Sequence, residues 1–544
     1  MKRRAFLLRT AGSAASAAAV MSLPDLLFPS LAGSAMAATA AKLPVLRYVP
    51  EADLASLDPI WSTAYITQMY AELVYDTLFG FDEHYNVKPQ MVADAKTSAD
   101  GKTWTLTLRK GLTFHDGSPV TSADCAASIR RWATRDSLGQ ELMKRTDDIV
   151  STDPQVLVFK LNKPFSLLPN ALGKVASSMC AIMPARLAKT DSHTQVTEVV
   201  GSGPFRFPKD KWVSGATAVF ERFDAYIPNP GASAFTSGAK NAQLSQVIWK
   251  TIPDAATSTA ALQAGEIDAV EIVSSDFLPV LAADPNLQLV KLKVPSIPIM
   301  RFNALYPPFD NPAIRRAILS VIDQKEFMTA LMGEDNKAYW DTGVGVFSPG
   351  SPMATKAGLD VMKGPSPANL AKAKQAIKDA GYKGEKVVLL DPADYAPSHM
   401  PAMVAADLLK KLGMNVDVQT MDWGSLMARR ANQNPPANGG WNLHFTTING
   451  MNNFDPASHL ALRGNGKSGW FGWPTSEKLE SLRSAWFDAP DDAARKKVCE
   501  QLQLQVWQDV PYIPLGAIYN ASAYRKGWAG VSQQMPLFYN LHKA

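Results

Sequence analysis

The chain is predicted to be an α/β protein with more than one lobe. Short strand-like runs alternate with amphipathic helical segments. Elements of both types continue to the C-terminus. Roughly five hundred residues beyond the leader are too many for one hydrophobic core, so two or three lobes are expected.

Val45-Leu46-Arg47-Tyr48-Val49 reads as a strand, and Tyr65 to Tyr75, with apolar positions three and four apart, as a helix. Trp104 to Leu108 alternates in polarity as a half-buried strand does, and Lys110-Gly111 turns it towards a second short strand ending at Phe114. The turn His115-Asp116-Gly117-Ser118-Pro119 precedes Thr121, whose partner Asp124 stands three residues on. This variant of the capping box starts a helix through Ile129 and Trp132. Pro312 to Ile318 is a helix with proline in its first turn. Asn369 to Ala380 is another, closed by Gly381; Lys386 to Leu390 is a strand feeding a helix at Met400 to Leu412. Residues 361–368 and 434–440, rich in Pro, Gly and Asn, are surface loops. The apolar runs Val506 to Leu515 and Ala517 to Tyr524 return the chain to a sheet.

The first forty residues read as an export signal. Lys2, Arg3 and Arg4 form a basic head before Phe6, Leu7 and Leu8, and this run resembles a twin-arginine signal. An Ala-rich stretch from Ala11 to Val20 follows, and small residues at Ala35-Met36-Ala37 or Ala38-Thr39-Ala40 suit a signal peptidase. The mature protein is therefore expected to begin near Ala38 or Ala41, in the periplasm. An uncleaved anchor is the other reading, but the stretch is short for a bilayer of about 30 Å. Loss of residues 1–41 removes four basic groups and one acidic group, taking the formal charge from +5 to +2. So weak a field gives no case for nucleic acid or an anionic membrane as partner. Cys125, Cys180 and Cys499 are an odd number for an oxidising compartment, so at least one thiol is free or pairs outside the chain.

An exported hydrolase is the rival class. No Gly-x-Ser-x-Gly elbow or His-Glu-x-x-His is present. Gly466-Lys467-Ser468 ends like a phosphate loop, yet Ala461 stands where the leading Gly belongs. The His residues are scattered and Cys-x-x-Cys is absent, which gives no basis for a zinc site. No catalytic residue, metal or cofactor is expected. A chaperone-like use of a cleft remains open.

Leu57-Asp58-Pro59, Tyr70 to Leu78, Leu112 to Asp124, Gly201-Ser202-Gly203-Pro204-Phe205, Leu262 to Asp268, and Asn311 to Ala317 with Ile322-Asp323 together, and in this order, resemble solute-binding protein family 5, the peptide, dipeptide and nickel binding proteins of bacterial ABC importers. The resemblance implies a two-lobed periplasmic-binding-protein fold, type II and cluster C-like, with a small domain inserted in the first lobe. Residues 42–80, 201–298 and 517–544 would form lobe I, 81–200 the inserted domain and 299–516 lobe II, with chain crossings near 298–301 and 515–517. The Phe114-His115-Asp116-Gly117 motif would then be architectural, away from the cleft. A monomer is implied that captures a peptide or another medium-sized solute by hinge closure and delivers it to a membrane permease.

In dipeptide-binding relatives, an Asp three residues before an Asp-Pro pair receives the solute's amino end. Here the pair is Asp455-Pro456, and Asn452 stands at that place, with Asn449 where Trp is common. A neutral amide does not offset a buried ammonium as a carboxylate does. Either Asp455 takes the role or it caps the turn before Pro456. The other candidates are Trp61 and Tyr65 at the cleft edge or in the core, Trp423 at the cleft or packing a helix start, and Arg301 and Asn303 reaching solute or forming a surface pair. Trp470 and Trp473 lie in a cluster with Phe471, either stacking on solute or closing the hinge face.

Overall fold

The computed structural model describes residues 43–176 and 178–544, so the export-signal reading lies outside the described residues. Most of the expected elements form where their sequence patterns put them. Val45–Val49 is a strand, Tyr65–Val74 a helix, and Thr103–Leu108 a strand. Thr121 and Asp124 close a reciprocal capping box at the start of the helix Ser122–Arg135. The helices Pro312–Leu319, Pro367–Asp379 and Ala396–Lys411 and the strand Lys386–Pro392 follow. The last of these helices begins before Met400 and carries Pro401 inside it.

Among the described residues the chain builds two seven-stranded sheets and a four-stranded one. The first sheet runs, in spatial order, Leu287–Lys291, Ala521–Arg525, Ala269–Val270, Val45–Val49, Gln246–Lys250, Thr217–Arg222 and Phe205–Arg206. Val45–Val49 is parallel to both of its neighbours. The second runs Trp340–Asp341, Ala517–Ile518, Ser296–Phe302, Leu443–Asn449, Lys386–Pro392 and Asn415–Met421, with Tyr512–Pro514 also on Ser296–Phe302. Lys386–Pro392 is parallel to Asn415–Met421 and to Leu443–Asn449. The four-stranded antiparallel sheet lies between residues 92 and 161.

The chain changes sheet at 292–295 and again at 519–520, in place of the 298–301 and 515–517 that the resemblance implied. The strand Ser296–Phe302 begins only after a bend at 293–294, and its partners Leu443–Asn449 and Tyr512–Pro514 are far away in sequence, so no local pattern marks where the pairing changes. The two connectors lie side by side. Leu292 N–H donates to the Asn520 carbonyl at 2.8 Å, and the Asn520 amide donates to Ser296 Oγ at 3.2 Å.

The motif residues act as joints between these layers. His115 Nε2 bonds the Gly203 carbonyl at 3.0 Å while His115 Nδ1 accepts from Gly201 N–H at 3.2 Å. Burial pushes the imidazole down to about 4, so the ring is neutral at pH 7 and can donate from one nitrogen while accepting at the other. The glycines are required by closeness: a Cβ at Gly201 would overlap the Val74 carbonyl, and one at Gly203 would sit 2.7 Å from the Val74 carbonyl carbon. Asp58 is fully buried and accepts both Arg131 Nη1 at 3.0 Å and Nη2 at 2.6 Å, together with Val196 N–H at 2.9 Å. Asp76 accepts from Lys240 at 3.1 Å and from the Tyr226 hydroxyl at 2.8 Å. Cys125, Cys180 and Cys499 are all buried free thiols.

Removing one partner of a buried, bidentate ion pair leaves the other charge unpaired, which costs about 3–5 kcal/mol. Arg131→Met is therefore expected to lower the unfolding free energy by about that amount, and Asp58→Asn with Arg131→Met to cost less than the two singles added together. Urea unfolding of the three variants checks this; additive losses would show that the pair does not act as a unit.

Candidate binding cleft

A cavity of about 910 Å³ lies between the two large sheets. Its walls are the segments that leave the carboxyl ends of parallel strands, the place where open α/β sheets offer unpaired backbone and loop side chains to a ligand. Glu51 follows Val45–Val49, and Glu271 follows Ala269–Val270. From the second sheet, Tyr395 follows Lys386–Pro392, Trp423 follows Asn415–Met421, and Asn449 ends its strand.

On the first wall the two glutamates meet because their parallel strands are neighbours. Glu51 N–H donates to Glu271 Oε2 at 2.8 Å. Glu271 is 1% exposed, and burial followed by the charge of Glu51 raises its carboxyl well above the ordinary range. The Glu51 side chain reaches into the cavity, open to the solvent within it but ringed by protein, and this pushes its carboxyl up to about 7. The Tyr65 hydroxyl lies within the field of both carboxylates and has no hydrogen-bond partner. Burial is the main cause of its raised pKa, so it stays a neutral donor.

The second wall is aromatic and basic. Tyr395 and Trp423 stack with centroids 4.3 Å apart. Arg430 caps the helix Trp423–Arg429, its guanidinium 4.5 Å from the Phe471 ring centre and 5.9 Å from that of Trp470. Burial lowers Arg430 to about 10, which still leaves it charged at neutral pH, and its Nε has no hydrogen-bond partner. Glu51 also raises the pKa of Tyr395, secondarily to burial, so the two walls share one electrostatic space.

Five of the residues expected from sequence line this cavity: Tyr65, Trp423, Asn449, Asn452 and Trp470. Asn449 also accepts Met451 N–H at 2.9 Å, starting the short turn Gly450–Asn453. The other five lie outside it. Trp61 stacks under Arg135 at 5.2 Å. Arg301 is fully buried, neither at solute nor on the surface: it donates to the carbonyls of Phe471, Ala461 and Pro511 and so shapes the loop that carries Trp470. Asn303 is likewise buried, bonding the Trp441 carbonyl at 2.8 Å and Leu305 N–H at 3.0 Å. Asp455 accepts Ala457 and Ser458 N–H, the turn-capping alternative of its two readings. Trp473 is buried against Trp441 at 5.7 Å. None of Phe114, His115, Asp116 and Gly117 lines the cavity.

Glu51, Glu271, Tyr395, Arg430 and Asn453 were not singled out by sequence. Each glutamate is the first acid after a short apolar strand, which is the one local signal available; their pairing depends on strand order. Arg430 in Arg429-Arg430 reads as an ordinary basic helix end.

Residues 86–470 match the model of the bacterial extracellular solute-binding proteins, family 5. The chain is 36% identical over 539 residues to a probable peptide ABC transporter periplasmic-binding protein of Sinorhizobium fredii, covering 98% of each. It is 25% identical over 492 residues to a glutathione-binding protein of Salmonella paratyphi A, covering 87% of this chain and 89% of the relative. Its fold superposes with a TM-score of 0.76 on the oligopeptide-binding protein of Bacillus subtilis, solved with a nonapeptide, at 21% identity over 92% of this chain and 99% of that one. The fold is thus the two-lobed one of periplasmic binding proteins.

The raised carboxyls give a signed prediction. Both hold protons more tightly in the folded than in the unfolded protein, so the solute-free protein loses stability as pH rises from about 4.5 to about 7. Glu271→Gln is expected to flatten that fall, measured by urea unfolding across the window. A slope unchanged by the substitution would remove the coupling between the two acids.

Proposed function

The chain belongs to the bacterial extracellular solute-binding proteins, family 5, and we propose that it captures a peptide or similar medium-sized organic solute in this cavity and delivers it to an ABC permease in the inner membrane. The observation that carries the reading is the placement of one cavity between two sheets joined by only two adjacent connectors, at 292–295 and 519–520 among the described residues. Such connectors are where a hinge bends. Solute touching both walls favours the closed form by its extra contacts and gives the permease a distinct shape to read. In this reading residues 43–80, 201–291 and 521–544 are one lobe, 81–200 the domain it carries, and 296–518 the other. The peptide class is supported by the name of the Sinorhizobium relative, which matches over nearly its full length.

Contacts between residues 81–200 and 296–518 would part on opening. Ser137 Oγ donates to the Ala457 carbonyl at 2.8 Å, Arg495 to Ser166 Oγ at 2.8 Å, and Tyr85 packs on Phe454 at 4.4 Å. The protein acts as a monomer that binds without chemical turnover. Its twin-arginine-like leader takes it to the periplasm.

Three measurements test this. Solute that co-purifies from the native host, identified by mass spectrometry after gentle denaturation, is expected to be peptide-like. Small-angle scattering is expected to show a smaller radius of gyration with solute than after its removal; turnover of the solute, or no compaction at saturation, counts against the hinge reading. Arg3→Lys with Arg4→Lys is expected to strand the precursor in the cytoplasm, and undiminished export of that variant would remove the twin-arginine claim.

A further inference from the structure

The cavity carries two acids on one wall and a base on the other. Glu51 and Glu271 belong to the first sheet and are tied to each other by the 2.8 Å bond from Glu51 N–H. That bond is made through the backbone of Glu51, so it does nothing to neutralise either carboxylate. Burial and mutual repulsion keep protons on this pair, and a cation set between the two groups favours their ionised form. Arg430 reaches the same cavity from the second sheet, held against Trp470 and Phe471 with its Nε unpartnered.

A third observation is independent of these charges. Asn453 lines the cavity, is 1% exposed, and has no hydrogen-bond partner at either side-chain atom. A buried amide left without hydrogen bonds is costly, so the site is incomplete until a polar group arrives. An organic ammonium fits the first wall better than a metal ion does, because no cluster of three or more metal-ligating side chains exists among the described residues. The wall facing it offers the rings of Tyr395 and Trp423, which attract a cation by their faces.

We propose that the solute is a zwitterion whose ammonium is held by Glu51 and Glu271 on the first lobe and whose carboxylate is held by Arg430 on the second, with Asn453 bonding a polar group between them. This rests on the solute-capture reading above. It gives the closure a physical cause: each end of the solute is paired on a different lobe, so only the closed form satisfies both charges. It also accounts for Asn452 in the cavity wall, because the negative charge is supplied from across the cleft.

Titration calorimetry of the mature protein with alanyl-leucyl-alanine, its N-acetyl form and its C-terminal amide tests the proposal, and this arm needs no variant. Each capped form is expected to bind roughly ten- to a hundredfold more weakly than the parent. Glu51→Gln and Glu271→Gln are expected to weaken the parent and the amide while leaving the N-acetyl form as it was; Arg430→Gln should weaken the parent and the N-acetyl form but not the amide. If the N-acetyl form binds as tightly as the parent, peptide capture stands and the carboxylate anchor is overturned. If none of the three binds, the peptide reading fails and the inference falls with it.

Discussion

The 2.8 Å hydrogen bond from Leu292 N–H to the Asn520 carbonyl holds together the two strands of chain on which the rest of the molecule depends. Because the connectors run side by side, the sheets they leave must stand next to each other, joined along one line. The segments beyond the carboxyl ends of the parallel strands in both sheets then line one space. Gly450 tightens the same corner: its N–H donates to the Pro295 carbonyl at 2.8 Å, and a Cβ there would come within 2.5 Å of that oxygen. A connection this narrow also allows relative motion of the sheets with little loss of packing.

The motifs that identify the family take no part in the cavity. His115 fastens the segment from Gly201 to Gly203, Asp58 fastens the helix bearing Arg131, and Asp76 gathers Lys240 and Tyr226. Each is a buried polar joint that must be fully bonded to be tolerated, since an unpaired partner costs more than the bond contributes. Arg301 shows the same economy closer to the site. It reads in sequence as a polar group near the hinge, yet its guanidinium is spent on four backbone carbonyls of loops that would otherwise be buried unpaired.

The candidate site was legible only in part, and the division has a physical basis. Tyr65, Trp423, Asn449, Asn452 and Trp470 sit on segments whose place is implied by the order of the family's elements. Trp61, Trp473 and Asp455 are on the same segments, and which way each points is fixed by neighbours far away in sequence, such as Arg135 for Trp61 and Trp441 for Trp473. The glutamate pair lies further still from local reading. Residues 51 and 271 are adjacent because Val45–Val49 and Ala269–Val270 are neighbouring parallel strands, and strand order is set by the packing of the whole sheet.

What the sequence alone determined was local: the strands and helices, the capping box at Thr121, and a set of ordered motifs sufficient to point to the family and so to a two-lobed fold. These follow from periodicity, turn chemistry and steric demand, which act over a few residues. The tertiary structure alone decided where the chain changes sheet, which polar residues are consumed by backbone carbonyls, and which acids and bases line the cavity. Those outcomes depend on the burial of groups hundreds of residues apart, where the cost of an unpaired carbonyl or an unneutralised carboxylate is set by the completed fold.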